Sequence, residues 1–309
     1  MFNNNFSLLL IHCASEKQRY ISHGISEIVL NYFSLLFVVL VTVEEFSGSA
    51  LDIDAPSPHS LYKALRINTT LTRLDLTGEM IGDHDLRTLS EDLKVNNTLT
   101  DLVLSNNNVG DGGAGHLSEA LKLNGTLTNL NVEDNNIGDG GAAHLSEALK
   151  VNGTLTNLNV GNNDIGDSGA GYVSEALKVN RTLVYLDVSR SNIGDSGAAH
   201  LSEALKLNAT LSYLDVGGNI IGDSGAARLS EALKLNATLT TLDVSLNNIG
   251  DSGVGHLSEA LKVNRTLTDL DKSKDNIDDS GACRLIGLTL QRNLGSFSAR
   301  KVFPTSRER

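Results

Sequence analysis

A leucine returns every 28 residues along most of this chain, at Leu71, Leu99, Leu127, Leu155, Leu183, Leu211, Leu239 and Leu267, and the words around it are nearly the same each time. The clearest copy, residues 183–210, reads LVYLDVSRSNIGDSGAAHLSEALKLNAT. A fixed period of this length restricts the chain to a repeat array, in which each unit is one supersecondary element that cannot bury its apolar side alone and must stack on its neighbours. The 309 residues therefore describe one elongated solenoid rather than two ordinary domains.

The unit that starts at Leu99 shows its parts. Leu102 and Leu104 alternate with Asp101, Val103 and Ser105, a period of two that marks a short strand with one face inward. Asn107 follows at a turn, where a side-chain amide satisfies backbone groups that the curving chain leaves unpaired. Asn135, Asn163, Asn219 and Asn247 hold the same place. Gly110 and Asp111 mark a helix start, with Asp111 expected to cap the first turn. Leu117, Ala120 and Leu121 supply the inward stripe, and Leu123 completes the apolar pattern of the unit. Glu119 and Lys122 face outward, three residues apart, and Asn124 is expected to end the helix through a left-handed exit. One strand and one helix per unit, stacked in parallel, must curve, because helices need about 8–10 Å between axes and strands only about 4.8 Å. The expected fold is α/β, a horseshoe with parallel strands on the concave face and helices on the convex face.

This pattern, LxxLxLxxNxLxxxGxxxLxxxL, resembles the ribonuclease-inhibitor type of leucine-rich repeat, and wording such as SNIGDSGAAHLSEALKLNATLS is similar to the repeat domains of NOD-like receptors. The resemblance covers 71 to about 294, with 43–70 as a weaker unit, and implies a curved protein-binding surface, usually cytosolic. In NOD-like receptors such arrays sense ligands or autoinhibit behind a nucleotide-binding domain. This chain has no GxxxxGK[ST] phosphate loop, so the resemblance implies no ATPase switch here. Ran-type GTPase activators share the repeat class, which makes regulation of a small GTPase an alternative, with Arg73 or Arg190 at the rim as the polar groups it would use.

Three regions follow. Residues 1–42 form an N-terminal hydrophobic segment, 43–294 the repeat domain with a degenerate unit at 43–70 and eight units from 71, and 295–309 a basic tail with Arg300, Lys301, Arg307 and Arg309. An uncharged run begins at Ile28 and ends at Val43. As a helix it would span about 24 Å, short of the roughly 30 Å hydrocarbon core, so it is read first as a cap on the open end of the solenoid. The alternative is a signal or anchor that exports the chain to serve as a membrane-anchored or secreted receptor. The eight Asn-x-Thr sequons, Asn68 to Asn264, recur because the helix exit takes Asn and the next strand takes Thr; they become glycan sites only if the chain is exported.

The formal charge of −12 argues against a nucleic-acid partner, which needs a basic face, and favours a basic one. Cys13 and Cys283 give no disulfide framework, so a reducing cytoplasm is expected. No catalytic, cofactor or metal-binding constellation stands out. Gly110 to Gly115 matches GxGxxG literally, but sister repeats read GDSGAA at the same place, so it is a structural turn. His116, His144, His200 and His256 lie one per unit, about 10 Å apart on neighbouring helices, too far for one metal ion. The strand positions that vary while the scaffold does not are the expected site. Tyr185 and Tyr213 stand in one column, Asp187, Asp215, Asp243 and Asp271 in the next, and Arg190 on the loop edge. The aspartates place like charges on successive strands at about 4.8 Å, a repulsion of about 1 kcal/mol per pair even in water. A non-enzymatic scaffold that binds a basic protein or peptide through these residues is the expected function.

Overall fold

The computed structural model describes residues 45–47, 65–66 and 68–272. Nine three-residue strands form one parallel sheet in chain order: β1 (Glu45–Ser47), β2 (Arg73–Asp75), β3 (Asp101–Val103), β4 (Asn129–Asn131), β5 (Asn157–Asn159), β6 (Tyr185–Asp187), β7 (Tyr213–Asp215), β8 (Thr241–Asp243) and β9 (Asp269–Asp271). Between β2 and β9 each strand is followed by a helix: α1 (Asp83–Leu93), α2 (Asp111–Leu121), α3 (Asp139–Leu149), α4 (Gly166–Val179), α5 (Asp195–Leu205), α6 (Asp223–Leu233) and α7 (Asp251–Val263). Every strand residue pairs with the residue 28 positions on, as Asp101 with Asn129 and Leu102 with Leu130. The result is a leucine-rich-repeat solenoid with the sheet on its concave side and the helices on its convex side. β1 pairs in the same register, Glu45 with Arg73, while the apolar run at 28–43, the rest of 48–64, and the tail lie outside the described residues.

The alternation read from sequence sets the burial. In β3 only the middle residue, Leu102, points inward, and with Leu99, Leu104, Val109, Leu117 and Leu121 it joins a core that runs unbroken from Leu65 to Leu270. Burying one such side chain is worth about 2 kcal/mol, and here the burial is against the neighbouring repeats. Leu123 departs from this set. It lies beyond the last turn of α2 and is 69% exposed, as are its equivalents Val95, Val151, Val179, Leu207, Leu235 and Val263 at more than half.

Two ladders of side chains lock successive repeats. Asn107 donates its amide to the carbonyls of Leu76 (2.8 Å) in the previous repeat and Leu104 (3.0 Å) in its own, while its oxygen accepts from the Ile81 N–H (2.9 Å). Asn135, Asn163, Asn219 and Asn247 repeat the arrangement. The second ladder corrects the expected cap. Gly110, not Asp111, occupies the N-cap of α2, and Asp111 serves the next repeat by accepting from the Gly138 N–H at 2.7 Å. Asp83, Asp167, Asp195 and Asp223 do the same for Gly110, Gly194, Gly222 and Gly250. Helix capping is thus supplied from the neighbouring repeat, and it places each carboxylate near the positive end of a helix dipole.

The helix exit also differs from expectation. Asn180 and Asn264 leave α4 and α7 in extended rather than left-handed backbone, φ −65° and −62°. Asn is used there for its amide. Asn124 donates to the Leu93 carbonyl at 2.7 Å and accepts from Thr126 N–H at 3.0 Å and Leu127 N–H at 2.8 Å. The left-handed position is instead a column in the turn after each strand: Gly78, Asn106, Asp134, Asn162, Arg190, Gly218 and Leu246 all have positive φ.

Candidate partner-binding surface

The concave strand positions divide at the boundary between β5 and β6. On the N-terminal side three of the outward groups bond to a neighbouring side chain. The Arg73 guanidinium donates to Asp75 at 3.4 Å, Asn129 Nδ2 to Asp101 Oδ1 at 2.7 Å, and Asn159 Nδ2 to Glu133 Oε2 at 3.1 Å. From β6 onward Asp187 opposes Asp215, Asp215 opposes Asp243, and Asp243 opposes Asp271. Among the described residues no Lys, Arg or His forms an ion pair with Asp187, Asp215 or Asp243.

Part of this aspartate column is structural. The Oδ1 atoms of Asp187, Asp215 and Asp243 accept from the N–H two residues on, at Ser189 (2.9 Å), Gly217 (2.8 Å) and Ser245 (2.8 Å), each closing an Asx turn. Asn131 and Asn159 close the same turn at 2.8 and 2.9 Å, so the turn needs the side-chain oxygen and not the charge. Asp75 in β2 carries the charge too and closes the turn to the Thr77 N–H at 3.1 Å, but it has Arg73 beside it; an uninterrupted run of charge is specific to the C-terminal repeats. Its cost is visible in the protonation equilibria. Burial, reinforced by Asp187, Asp243 and Asp271, pushes the Asp215 carboxyl up from its ordinary 3.8 to about 7, against the lowering effect of the Gly217 N–H. Burial also raises Asp243, again against hydrogen bonds from Ser245.

Tyr185 and Tyr213 stack one strand apart, with ring centroids at 4.4 Å and planes 16° from parallel. Burial and then the neighbouring carboxylates push the Tyr213 hydroxyl up to about 12, and Tyr185 shifts upward for the same reasons, with Asp187 the most effective of the charges. Both phenols therefore stay neutral donors beside the acidic strip. Arg190 lies across the turn at the rim. Its stem covers Gly218: a Cβ there would sit 2.6 Å from Arg190 Cγ, so Gly218 makes room for it.

Two further rim residues escaped the sequence reading. Leu246, at 42% exposure, and Ile220, at 57%, are apolar in turns where the other repeats carry mostly Asn, Asp or Gly. Leu246 also holds φ +57°, and Arg190 holds +49°, in a column otherwise filled by Gly, Asn and Asp. A left-handed residue with a full side chain costs about 1 kcal/mol. The signal was present as a break in a column, but only the structure shows that this column is left-handed.

The remaining motifs resolve into scaffold. In the GxGxxG stretch the Gly110 N–H is taken by Asp83, and a Cβ on Gly112 or Gly113 would approach Asp83 oxygens to 2.6 and 2.7 Å. Those glycines permit close packing of repeats. The histidines lie at the helix surface, and among the described residues no three of His, Cys, Asp or Glu gather as a metal site requires. No helix among the described residues is long and apolar enough to cross a membrane. Every sequon asparagine from Asn68 to Asn264 is buried.

A leucine-rich repeat model matches residues 95–118, 124–146, 151–174, 179–202, 207–230 and 235–258. Comparison with curated proteins gave no match. Similar solved structures include the leiomodin-1 actin-binding site 2, 29% identical over 43% of this chain and 80% of that one, with a TM-score of 0.40. The tropomodulin C-terminal domain of Caenorhabditis elegans is 22% identical over 50% and 93%, with a TM-score of 0.42. An internalin of Listeria monocytogenes is 23% identical over 73% and 67%, with a TM-score of 0.44.

Proposed function

We propose that this leucine-rich repeat protein is a non-enzymatic interaction scaffold that grips a basic segment of a partner protein on its concave face, through Tyr185, Asp187, Arg190, Tyr213, Asp215, Asp243 and Asp271. The observation that carries this reading is the contrast along one sheet: up to β5 the outward carboxylates Asp75 and Asp101 each have a side-chain donor, and from β6 carboxylates face one another without a cation on Asp187, Asp215 or Asp243. Lys or Arg side chains of a partner would supply that cation, and the stacked tyrosines beside the strip offer rigid, amphipathic contact area of the kind that dominates binding hot spots. Arg190 at the rim would meet an acceptor on the same partner.

The sequons support a cytoplasmic setting. A glycan on Nδ2 of Asn124 would take one of the two N–H groups that serve the Leu93 and Asn96 carbonyls and would set a sugar at a buried atom, and the other sequon asparagines are buried alike, so a chain glycosylated during synthesis would not close its repeats.

Selection of a random peptide library against the folded protein tests the binding reading. Peptides rich in Lys or Arg should be enriched, and Tyr213→Ala and Asp215→Lys should each abolish their retention. Enrichment of acidic peptides, or retention unchanged by both substitutions, would refute it.

A further inference from the structure

Tyr185 and Tyr213 are register partners on adjacent strands and their rings stack 16° from parallel, so the ring planes cut across the strand-to-strand direction. Each ring therefore has a second face that the other does not cover. That of Tyr185 looks toward β5, over Asn157, and that of Tyr213 looks toward β8, over Thr241. The two faces have different neighbours. Two residues along the strands from Asn157 and Tyr185 stand Asn159 and Asp187, and the Asn159 amide already donates to Glu133 Oε2 at 3.1 Å. Two residues along from Tyr213 and Thr241 stand Asp215 and Asp243, and after Thr241 the tyrosine column continues with Asp269, which is exposed. The step from tyrosine to threonine leaves a slot. With strands about 4.8 Å apart, the Tyr213 and Asp269 positions are separated by about 9.6 Å, and only the short Thr241 side chain stands between them. A flat group stacked about 3.5–4 Å from the Tyr213 ring fits above that threonine.

We propose that this slot takes the guanidinium of an arginine from the partner protein, in preference to a lysine, an inference that rests on the concave-face reading of function. Shape is the first argument. The guanidinium is planar and weakly hydrated and stacks on an aromatic face, whose negative potential attracts it, whereas an ammonium is a compact, strongly hydrated point charge. Acceptors are the second. Asp215 and Asp243 lie about 7 Å along the strands from the ring and the threonine, beside the edge of a plane stacked there, where the fixed fork of N–H donors points. Asp215 takes the Gly217 N–H on Oδ1, and no donor among the described residues reaches its Oδ2. Asp269, on the far side of the slot, enters no ion pair among the described residues. Charge is the third. Asp215, Asp243, Asp187 and Asp269 all act on the Tyr213 hydroxyl, so a cation on that ring sits in the field of all four. A further aromatic ring would continue the stack but would bring these carboxylates no positive charge.

The test measures fluorescence anisotropy of labelled peptides on the full chain. One peptide carries arginines spaced by Gly and Ser, and the other carries lysines at the same positions, so that length and net charge are equal. The arginine peptide should bind about tenfold tighter. Thr241→Leu, which lays an aliphatic side chain on the Tyr213 face and leaves every carboxylate in place, should bring the two peptides to equal affinity. Asn157→Leu, which covers the outer face of Tyr185 in the same way, should leave the arginine preference, and circular dichroism of both variants should match the parent. Equal affinities on the parent, a preference that survives Thr241→Leu, a preference that Asn157→Leu removes, or tighter binding of a counterpart with phenylalanine at those positions would overturn the slot. The basic-partner reading falls with it only if neither basic peptide binds more tightly than a glutamate counterpart.

Discussion

Replacing Asp215 with asparagine should make the protein more stable and a poorer binder. The Asx turn survives, since Asn159 closes the equivalent turn to the Gly161 N–H at 2.9 Å as Asp215 does to Gly217 at 2.8 Å. What disappears is a carboxyl whose folded pKa, about 7, lies above its ordinary 3.8. The folded state then holds the proton more tightly than the unfolded state, so ionisation costs stability progressively as pH rises from 3.8 to about 7. At about 1.4 kcal/mol per unit the ceiling is about 4 kcal/mol, but the side chain is only partly buried and water screens it, leaving about 1–2 kcal/mol. Asparagine escapes this cost. For an array of this size the gain corresponds to a rise of about 3–6 °C in thermal midpoint at pH 8, shrinking to nothing near pH 4. Thermal melts of parent and Asp215→Asn at both pH values measure it. An unchanged or lower midpoint at pH 8, or an equal gain at pH 4, would show that the strip carries no electrostatic strain and remove the argument for a basic partner.

Leu246→Asn should relieve a left-handed leucine at φ +57° and raise stability by about 1 kcal/mol while weakening retention of the selected peptides. Asn219→Ala should destabilise by about 3 kcal/mol, because it strips partners from the buried Ser191 and Ile193 N–H groups and the Val188 carbonyl; a chemical melt measures the loss, which should be accompanied by faster amide exchange in α5. Ser191→Asn should stabilise by about 1 kcal/mol. Serine breaks the ladder there, Gly166 N–H instead reaches the Ser191 carbonyl at 2.9 Å, and α4 begins at Gly166 with φ +62°; the asparagine should restore a helix start at Asp167, visible in amide chemical shifts.

The repeat period made the fold legible because each position of the unit recurs until its role is plain: Leu102 and Leu104 as the inward strand residues, Asn107 as the turn, Glu119 and Lys122 as an outward pair. The candidate site was legible in the same way, as departures from the unit at Tyr185, Asp187, Tyr213 and Asp215. Relations between units were not. That Asp111 caps its neighbour's helix is a contact across 27 residues of sequence, and helical spacing alone assigns it to its own helix. Leu123 has the hydrophobicity of a core residue, and only its place beyond the last turn of α2 exposes it. Leu246 needed knowledge that its column is left-handed, which Gly78, Asn106 and Gly218 hint at and no single repeat reveals.

The asparagine ladder also separates the length of this protein from its specificity. Asn163 makes to Val132 and Ile137 the bonds that Asn135 makes to Leu104 and Val109. If residues 127–154 were excised, the unit from Leu155 would dock on the unit from Leu99, and Asn163 would find the Leu104 carbonyl and Val109 N–H waiting in the geometry it already uses. Unequal crossing-over among the repeats before β6 would therefore yield shorter or longer arms that still fold, each carrying the tyrosines and aspartates of β6 to β9 unaltered. Reach can drift in steps of one unit while the grip is inherited intact.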